Sequence, residues 1–311
     1  MKNIFVKLLA LGTAAMSLAA CTAKIEADSP VAPTRTVHFV LPAEIAQTKT
    51  AIEYDGGAYL PFFQKDDELG VLFAVPEETA DLNSDVILLN SADDGESAVF
   101  VGDGAVLAEK DQVIAYTYYP AGKVRGYKDG TVGIDVPNQQ APVFNANTGY
   151  SFDPKADILI GTPAAITVIE ESGKYLGSIE DNLQFARVTG ILRISLNAAS
   201  ANSEVAGEIV KDLTIETSNG DIAGRIVVDL TNANYSKTNS KAGSQTIVVT
   251  PTEEARPYIN YGNTYAGSNN IFVSVAPVTI PGGSTLSFTI NTVDASTGKD
   301  SHKIVKEITL R

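Results

Sequence analysis

The sequence predicts an all-β protein made of two antiparallel β-sandwich domains that follow a processed leader. Three observations point there. Short runs rich in Val, Ile, Thr and Tyr recur between clusters of Gly, Asn, Asp and Ser, the composition of strands separated by turns. The strands follow one another without intervening helical periodicity, which favours an antiparallel sandwich over a parallel sheet wound with helices. The length of 311 residues exceeds that of one small domain and suggests two cores. Apolar residues make up 44% of the chain, enough to fill packed sheets. With Cys21 as the only cysteine, stability must come from burial and backbone pairing.

The N-terminus carries Lys2 and Lys7 ahead of an apolar run from Leu8 to Ala20, too short to span a bilayer and ending in small residues. Residues 1–20 therefore read as a secretory signal peptide. Leu18-Ala19-Ala20-Cys21 is the arrangement of a bacterial lipoprotein signal, in which the sulfur accepts diacylglycerol before cleavage. Cys21 is thus the expected lipidation site. Thr22 to Arg35 mixes Ala, Pro, Ser, Asp and Thr without periodicity and reads as a flexible tether, so that residues 21–35 form a lipidated N-terminal segment.

In the first half, Val37, Phe39 and Leu41 alternate with Thr36, His38 and Val40, a half-buried strand with His38 facing solvent. Asp66-Asp67-Glu68 leads into the apolar run Leu69 to Val75, which Pro76 stops. Neither that acidic turn nor Asp93-Asp94-Gly95-Glu96 has the alternating oxygen ligands of a hand-type calcium loop, so both read as solvated turns. Gly102-Asp103-Gly104 reads as a hairpin turn between Ser97 to Val101 and Val106-Leu107; a dinucleotide loop would need a third glycine and a helix after it. Val113 to Tyr119 is a strand ended by Pro120, with Tyr116 and Tyr118 on one face, where core packing is expected. Gly130 to Val136 alternates as a short strand, Pro137 to Pro142 is an extended connection, and Ile158 to Ile160 suits a strand buried on both faces. Glu170 to Asp181, with two glycines and several charges, reads as a hinge. It divides the chain into domains 36–178 and 179–311.

The second half opens on Leu183 to Leu196, read as one strand or a pair. Further strands are expected at Leu213 to Thr217, Gly224 to Leu230, Thr246 to Thr250, Ile271 to Ala276, Thr285 to Ile290 and Ile304 to Leu310. Between two of these lies Arg256 to Gly267, rich in Tyr, Asn and Gly. Tyr258, Tyr261 and Tyr265 are its candidate contact residues, since exposed tyrosines beside adaptable polar groups suit a binding loop.

The chemistry search yields no catalytic constellation. A net charge of -14 repels phosphate backbones and argues against a nucleic-acid partner. His38 and His302, the only histidines, have no neighbours at metal-ligand spacing, so no metal and no cofactor are expected. There is no Gly-x-Ser-x-Gly elbow, Gly298-Lys299 lacks the rest of a phosphate loop, and nothing singles out a carboxylate pair among 37 acidic residues. The expectation is a protein that is not an enzyme.

Taken in order, Cys21, the Asp67 to Phe73 acidic-to-apolar strand, Tyr116-Thr117-Tyr118-Tyr119-Pro120, Pro137 to Gln140, Asp157-Ile158-Leu159-Ile160 and Phe185-Ala186-Arg187-Val188 to Leu192 resemble the fimbrillin family. These are lipoprotein pilins and pilus-associated proteins of Bacteroidales. The likeness spans most of residues 21 to 196, and the second half matches in strand pattern. It implies two transthyretin-like β-sandwich domains and export as a lipoprotein to the outer membrane. It also implies assembly into a surface fimbria by strand exchange with other fimbrial subunits, and attachment to a host or bacterial surface ligand. In this type of pilus an arginine-specific protease removes the N-terminal segment, and Arg35 is the residue that fits such a cut. The segment before it holds Pro30 and Pro33 and makes a poor strand, and the last strand ends flush with Arg311, so a tip, accessory or anchored role is as well supported as a shaft role. The alternative from another class is a lipid-anchored surface glycan-binding protein that uses Tyr258, Tyr261 and Tyr265.

Overall fold

The computed structural model describes residues 34–45, 53–55, 58–60, 63–74, 87–93, 97–107, 111–128, 131–143, 152–231, 238–262 and 269–311. Cys21, the leader, most of the tether and Tyr265 lie outside them. Thr34–Arg311 forms one compact unit.

The unit is all-β. In chain order its strands are β1 (Thr34–Ile45), β2 (Glu53–Asp55), β3 (Ala58–Leu60), β4 (Glu68–Ala74), β5 (Ile87–Ser91), β6 (Ser97–Leu107), β7 (Gln112–Tyr119), β8 (Val124–Lys128), β9 (Thr131–Val136), β10 (Gln139–Gln140) and β11 (Leu159–Gly161). There follow β12 (Ala164–Glu171), β13 (Lys174–Ser178), β14 (Leu183–Arg187), β15 (Gly190–Ser195), β16 (Ile209–Thr217), β17 (Ala223–Asp229), β18 (Thr238–Ser244), β19 (Thr246–Val249), β20 (Asn270–Val275), β21 (Thr285–Val293) and β22 (Asp300–Thr309).

The alternation in β1 becomes a division between inside and outside. Val37, Phe39, Leu41 and Ala43 are fully buried, while Thr36, His38 and Val40 face solvent. One edge of β1 pairs antiparallel with β6 from Thr34↔Leu107 to Glu44↔Ser97. The other edge is shared by two strands in parallel, β13 beside Val37 to Phe39 and β14 beside Ala43 to Ile45. β7 repeats the device, with β4 on one edge and β12 then β11 on the other. The nine-stranded sheet β11-β14-β1-β13-β12-β7-β4-β5-β6 therefore curls until β6 meets β1 and closes on itself. Inside it Phe39 stacks on Phe73 at 4.8 Å, and Phe63 stands edge-on to Phe100, Tyr119 and Phe185. Antiparallel pairing dominates, as the turn-rich sequence implies, but β10–β19 is also parallel.

Two expectations are corrected here. Gly102-Asp103-Gly104 is no hairpin turn; β6 runs straight through it. A Cβ on Gly102 would lie 2.8 Å from the Leu88 carbonyl oxygen, so this glycine permits close approach of β5 instead of reversing the chain. Glu170 to Asp181 is no hinge: it holds the β12–β13 hairpin, turned by Ser172 and Gly173 at φ 53° and 77°. Pairing also crosses residue 178, since β14 joins β1 and β11, and β17 joins β9.

β7 is buried on both faces from Ala115 to Tyr119, which explains its unbroken apolar run. Its outward residues Tyr116 and Tyr118, with Leu72, pack against Val132, Ile134 and Val136 of β9 and Ile226 and Val228 of β17. The core packing expected of the two tyrosines is found. Beyond lies a five-stranded sheet, β10-β19-β16-β21-β22, faced by the pair β15-β20 across a third core around Leu213, Ile215, Ile247 and Val273.

Polar groups bind these layers together. Asp157, fully buried, accepts Arg187 Nε at 2.6 Å and Nη2 at 2.8 Å, and Thr189 Oγ1 at 3.2 Å. Burial pushes the Asp157 carboxyl up from its ordinary pKa, while Arg187 and Thr189 act in the opposite direction. The buried Gln140 side chain imitates a strand: its Nε2 donates to Ser274 O at 2.6 Å and its Oε1 accepts Ser274 N at 3.0 Å. β10 thereby holds β20 from the opposite sheet.

Arg187→Met is expected to leave the Asp157 carboxylate buried and uncompensated, lowering unfolding free energy in denaturant at pH 7 by about 3–5 kcal/mol. Gly177→Ala would place its Cβ 2.5 Å from the buried Phe39 ring. The expected loss is about 1–3 kcal/mol in the same measurement, and an unchanged midpoint would refute the close fit.

Candidate functional site

The five-stranded sheet is covered unevenly. Two strands face five, and the Gln140–Ser274 contact places β20 toward the β10 end, so β15 lies on the side toward β21 and β22. Burial fades in that direction. Ile247 and Val249 of β19 and Val210, Leu213 and Ile215 of β16 are fully buried; Phe288 and Ile290 of β21 are 8% and 7% exposed; Ile308 of β22 is 47% exposed. Leu286, paired with Ile308, and Ile304, paired with Ile290, are partly buried.

Both bounding strands have open edges. Among the described residues β15 pairs only with β20, and β22 only with β21. An open edge presents unpaired N–H and C=O groups, a template for another strand. The apolar row Leu286, Ile304 and Ile308, running beside the free edge of β15, forms a lane for one added strand.

A polar clasp fastens the start of β22. Between Asn291↔Lys303 and Val293↔Asp300 the register shifts by an extra residue on β22, and this bulge turns both Ser301 and His302 toward Glu208. The Glu208 carboxylate accepts Thr292 Oγ1 at 2.5 Å and Ser301 Oγ, and His302 Nδ1 lies 2.7 Å away. His302 Nε2 also stands 3.7 Å from Glu204, and Lys211 of β16 pairs with Asp300 at 2.7 Å. Burial raises the Glu208 pKa, but the hydrogen bonds from Ser301, Thr292 and His302 together with the His302 charge outweigh it and hold the carboxyl below its ordinary value. Nothing in the sequence marked this cluster, because Glu208 and His302 meet only when β21 returns the chain.

Arg35 lies inside β1 and not in a tether. Its backbone pairs with Val106. Its side chain is 12% exposed, with the guanidinium 4.6 Å over the Tyr175 ring and Nη2 donating to Asp111 at 3.2 Å. The physical reason is pairing: β6 is long enough to continue the ladder to Thr34. A cut after Arg35 would release Thr34 and Arg35 from β6 while Thr36 to Ile45 remained in place, so it would not vacate the β1 position. His38 is solvent-facing, as its alternation predicts, with Nδ1 2.7 Å from Asp103.

The Arg256 to Gly267 loop is only partly described. Tyr258 is half-buried and forms a bridge to Ile209, whereas Tyr261 is 39% exposed. Tyr265, the third candidate, lies outside the described residues.

No family model matches the chain. No curated protein matches it either. Among solved structures it is similar to a candidate cell adhesion protein from Parabacteroides distasonis ATCC 8503, at 10% identity and a TM-score of 0.39, over 89% of this chain and 85% of that one. It is also similar to a fimbrial protein from Bacteroides vulgatus ATCC 8482, at 12% identity and 0.38, over 88% of each chain. A third is a candidate adhesin from Bacteroides ovatus, at 11% and 0.34, over 89% and 79%.

The clasp makes a pH prediction. The folded pKa of Glu208 lies below its unfolded value of about 4.3, so its contribution is complete above that pH and is lost as pH falls through the folded value. Glu208→Gln is expected to lose about 1–3 kcal/mol at pH 7. In thermal unfolding the gap between variant and wild type should close toward pH 3; a pH-independent gap would refute the assignment.

Proposed function

We propose that this chain is a subunit of a surface fimbria, as a structural, tip or accessory adhesive component, exported as a lipoprotein through Cys21 and joined to neighbouring subunits by strand exchange. The observation that carries the reading is the fading cover from β19 to β22 beside the free edge of β15. An incoming strand needs a row of unpaired backbone groups and an apolar floor for alternate side chains, and the lane offers both. The leader ending in Leu18-Ala19-Ala20-Cys21 supplies the route to the outer membrane. The acidic, all-β chain suits a role performed by edges and loops.

Two measurements test this. N-terminal sequencing of protein recovered from the cell surface should give a start at Thr36; a blocked Cys21 in all recovered material would support permanent anchoring and the glycan-binding alternative. Ile308→Lys changes a side chain that is 47% exposed, so stability should shift by no more than about 0.5 kcal/mol. High-mass polymers on gels of surface fractions should nevertheless be lost. Polymers undiminished in this variant would remove the lane from the assembly path.

A further inference from the structure

The outer edge of β22 carries a pattern that the lane does not use. Leu310 N donates to Ser284 O at 2.8 Å, and Gly283 N to Leu310 O at 2.9 Å, so Leu310 directs its backbone groups toward β21. The register from Lys303 to Thr309 is unshifted, so the alternate residues Ile304, Lys306 and Ile308 also face β21. Lys303, Val305, Glu307 and Thr309 therefore point their N–H and C=O groups away from the sheet, where no described strand receives them. The same residues share the outer face, and Val305 there is 56% exposed.

We infer that β22 pairs antiparallel with β22 of a second copy of this chain, about a two-fold axis at Val305, joining the two five-stranded sheets edge to edge. The sequence is self-complementary about that point. With Val305 opposite Val305, Lys303 of each copy stands opposite Glu307 of the other, twice by symmetry, on one face of the new sheet. On the opposite face Ile304 meets the aliphatic stem of Lys306. Val305, whose backbone groups point outward, sits at the centre of a hydrogen-bonded pair, as an antiparallel dyad requires. A shift of two residues along the strand would set Lys303 opposite Val305 and Glu307 opposite Ser301, and both ion pairs would be lost. Exposed lysines otherwise guard an edge against indiscriminate pairing, so the edge accepts its own copy in one register and resists other strands.

This inference stands apart from the strand-exchange reading, since it uses the outer edge of β22 and not the lane. A single strand edge makes a small interface, and a reversible dimer in the micromolar range is expected. The test is sedimentation velocity of the unlipidated chain over roughly 1–100 µM, with far-UV circular dichroism as the check on folding. Wild type should show a concentration-dependent dimer. Val305→Pro removes only an outward N–H and should abolish it without loss of sheet signal. Lys303→Glu and Glu307→Lys should each weaken the dimer at least tenfold, and the double exchange should restore it, because only this register puts the two positions opposite each other. A monomer throughout the range, a dimer that survives Val305→Pro, or a double exchange that fails to rescue would each overturn the proposal. Surface polymers should persist in Val305→Pro if strand exchange through the lane is correct, which separates the two readings.

Discussion

The structure depends on the pairing of β1. A twelve-residue strand that offers one whole edge to β6 and divides the other between β13 and β14 is what turns a long ribbon into a closed layer. Closure sets the orientation of every inward side chain, because the side-chain period of two fixes Val37, Phe39, Leu41 and Ala43 inside once the register with β6 is fixed. It also hides the edges of the nine-stranded sheet, so that among the described residues open edges are found on the smaller sheets, β15 and β22 among them.

The cores are joined without a disulfide, and buried polar side chains link segments far apart in sequence. Asp157 and Arg187 tie the entry of β11 to the end of β14, and Thr189 completes the carboxylate while its Oγ1 also accepts Ile158 N at 3.3 Å. Gln140 does similar work by matching a backbone donor and acceptor with one amide. The first fixes the register of β11 on β14 within one sheet and the second fixes β10 against β20 of another, because a shift of one residue would bury an unpaired polar group. Asp67 plays a comparable part, accepting Tyr119 Oη at 3.0 Å and Gln64 N at 2.8 Å, so part of the acidic turn expected to be solvated ties β4 to β7.

Much of the strand content was legible because the period-two signal is local. β1, β7, β9 and the strands from β16 to β22 fall where alternation or an apolar run placed them, apart from β18, whose Thr-Asn-Ser-Lys-Ala-Gly-Ser sequence carries no apolar pattern. What sequence could not show was the purpose of glycine. Gly102, taken for a turn, permits the approach of β5, whereas Gly173, taken for a hinge, makes a tight turn at positive φ. Nor could it show contacts across long separations, such as Arg187 with Asp157 or His302 with Glu208. The candidate site was legible only in outline, since an open edge is a property of neighbours and is written nowhere in the strand itself.

The arrangement of β1 has a mechanical meaning. Tension applied at Thr34 along the strand would load its bonds to β6, β13 and β14 in shear, so that many must yield together. Tension applied across the strand would peel them singly, starting beside Leu107. A load-bearing connection made through this end would resist stretching far better than it resisted being lifted away, and the direction of pull would decide how long the layer stayed shut.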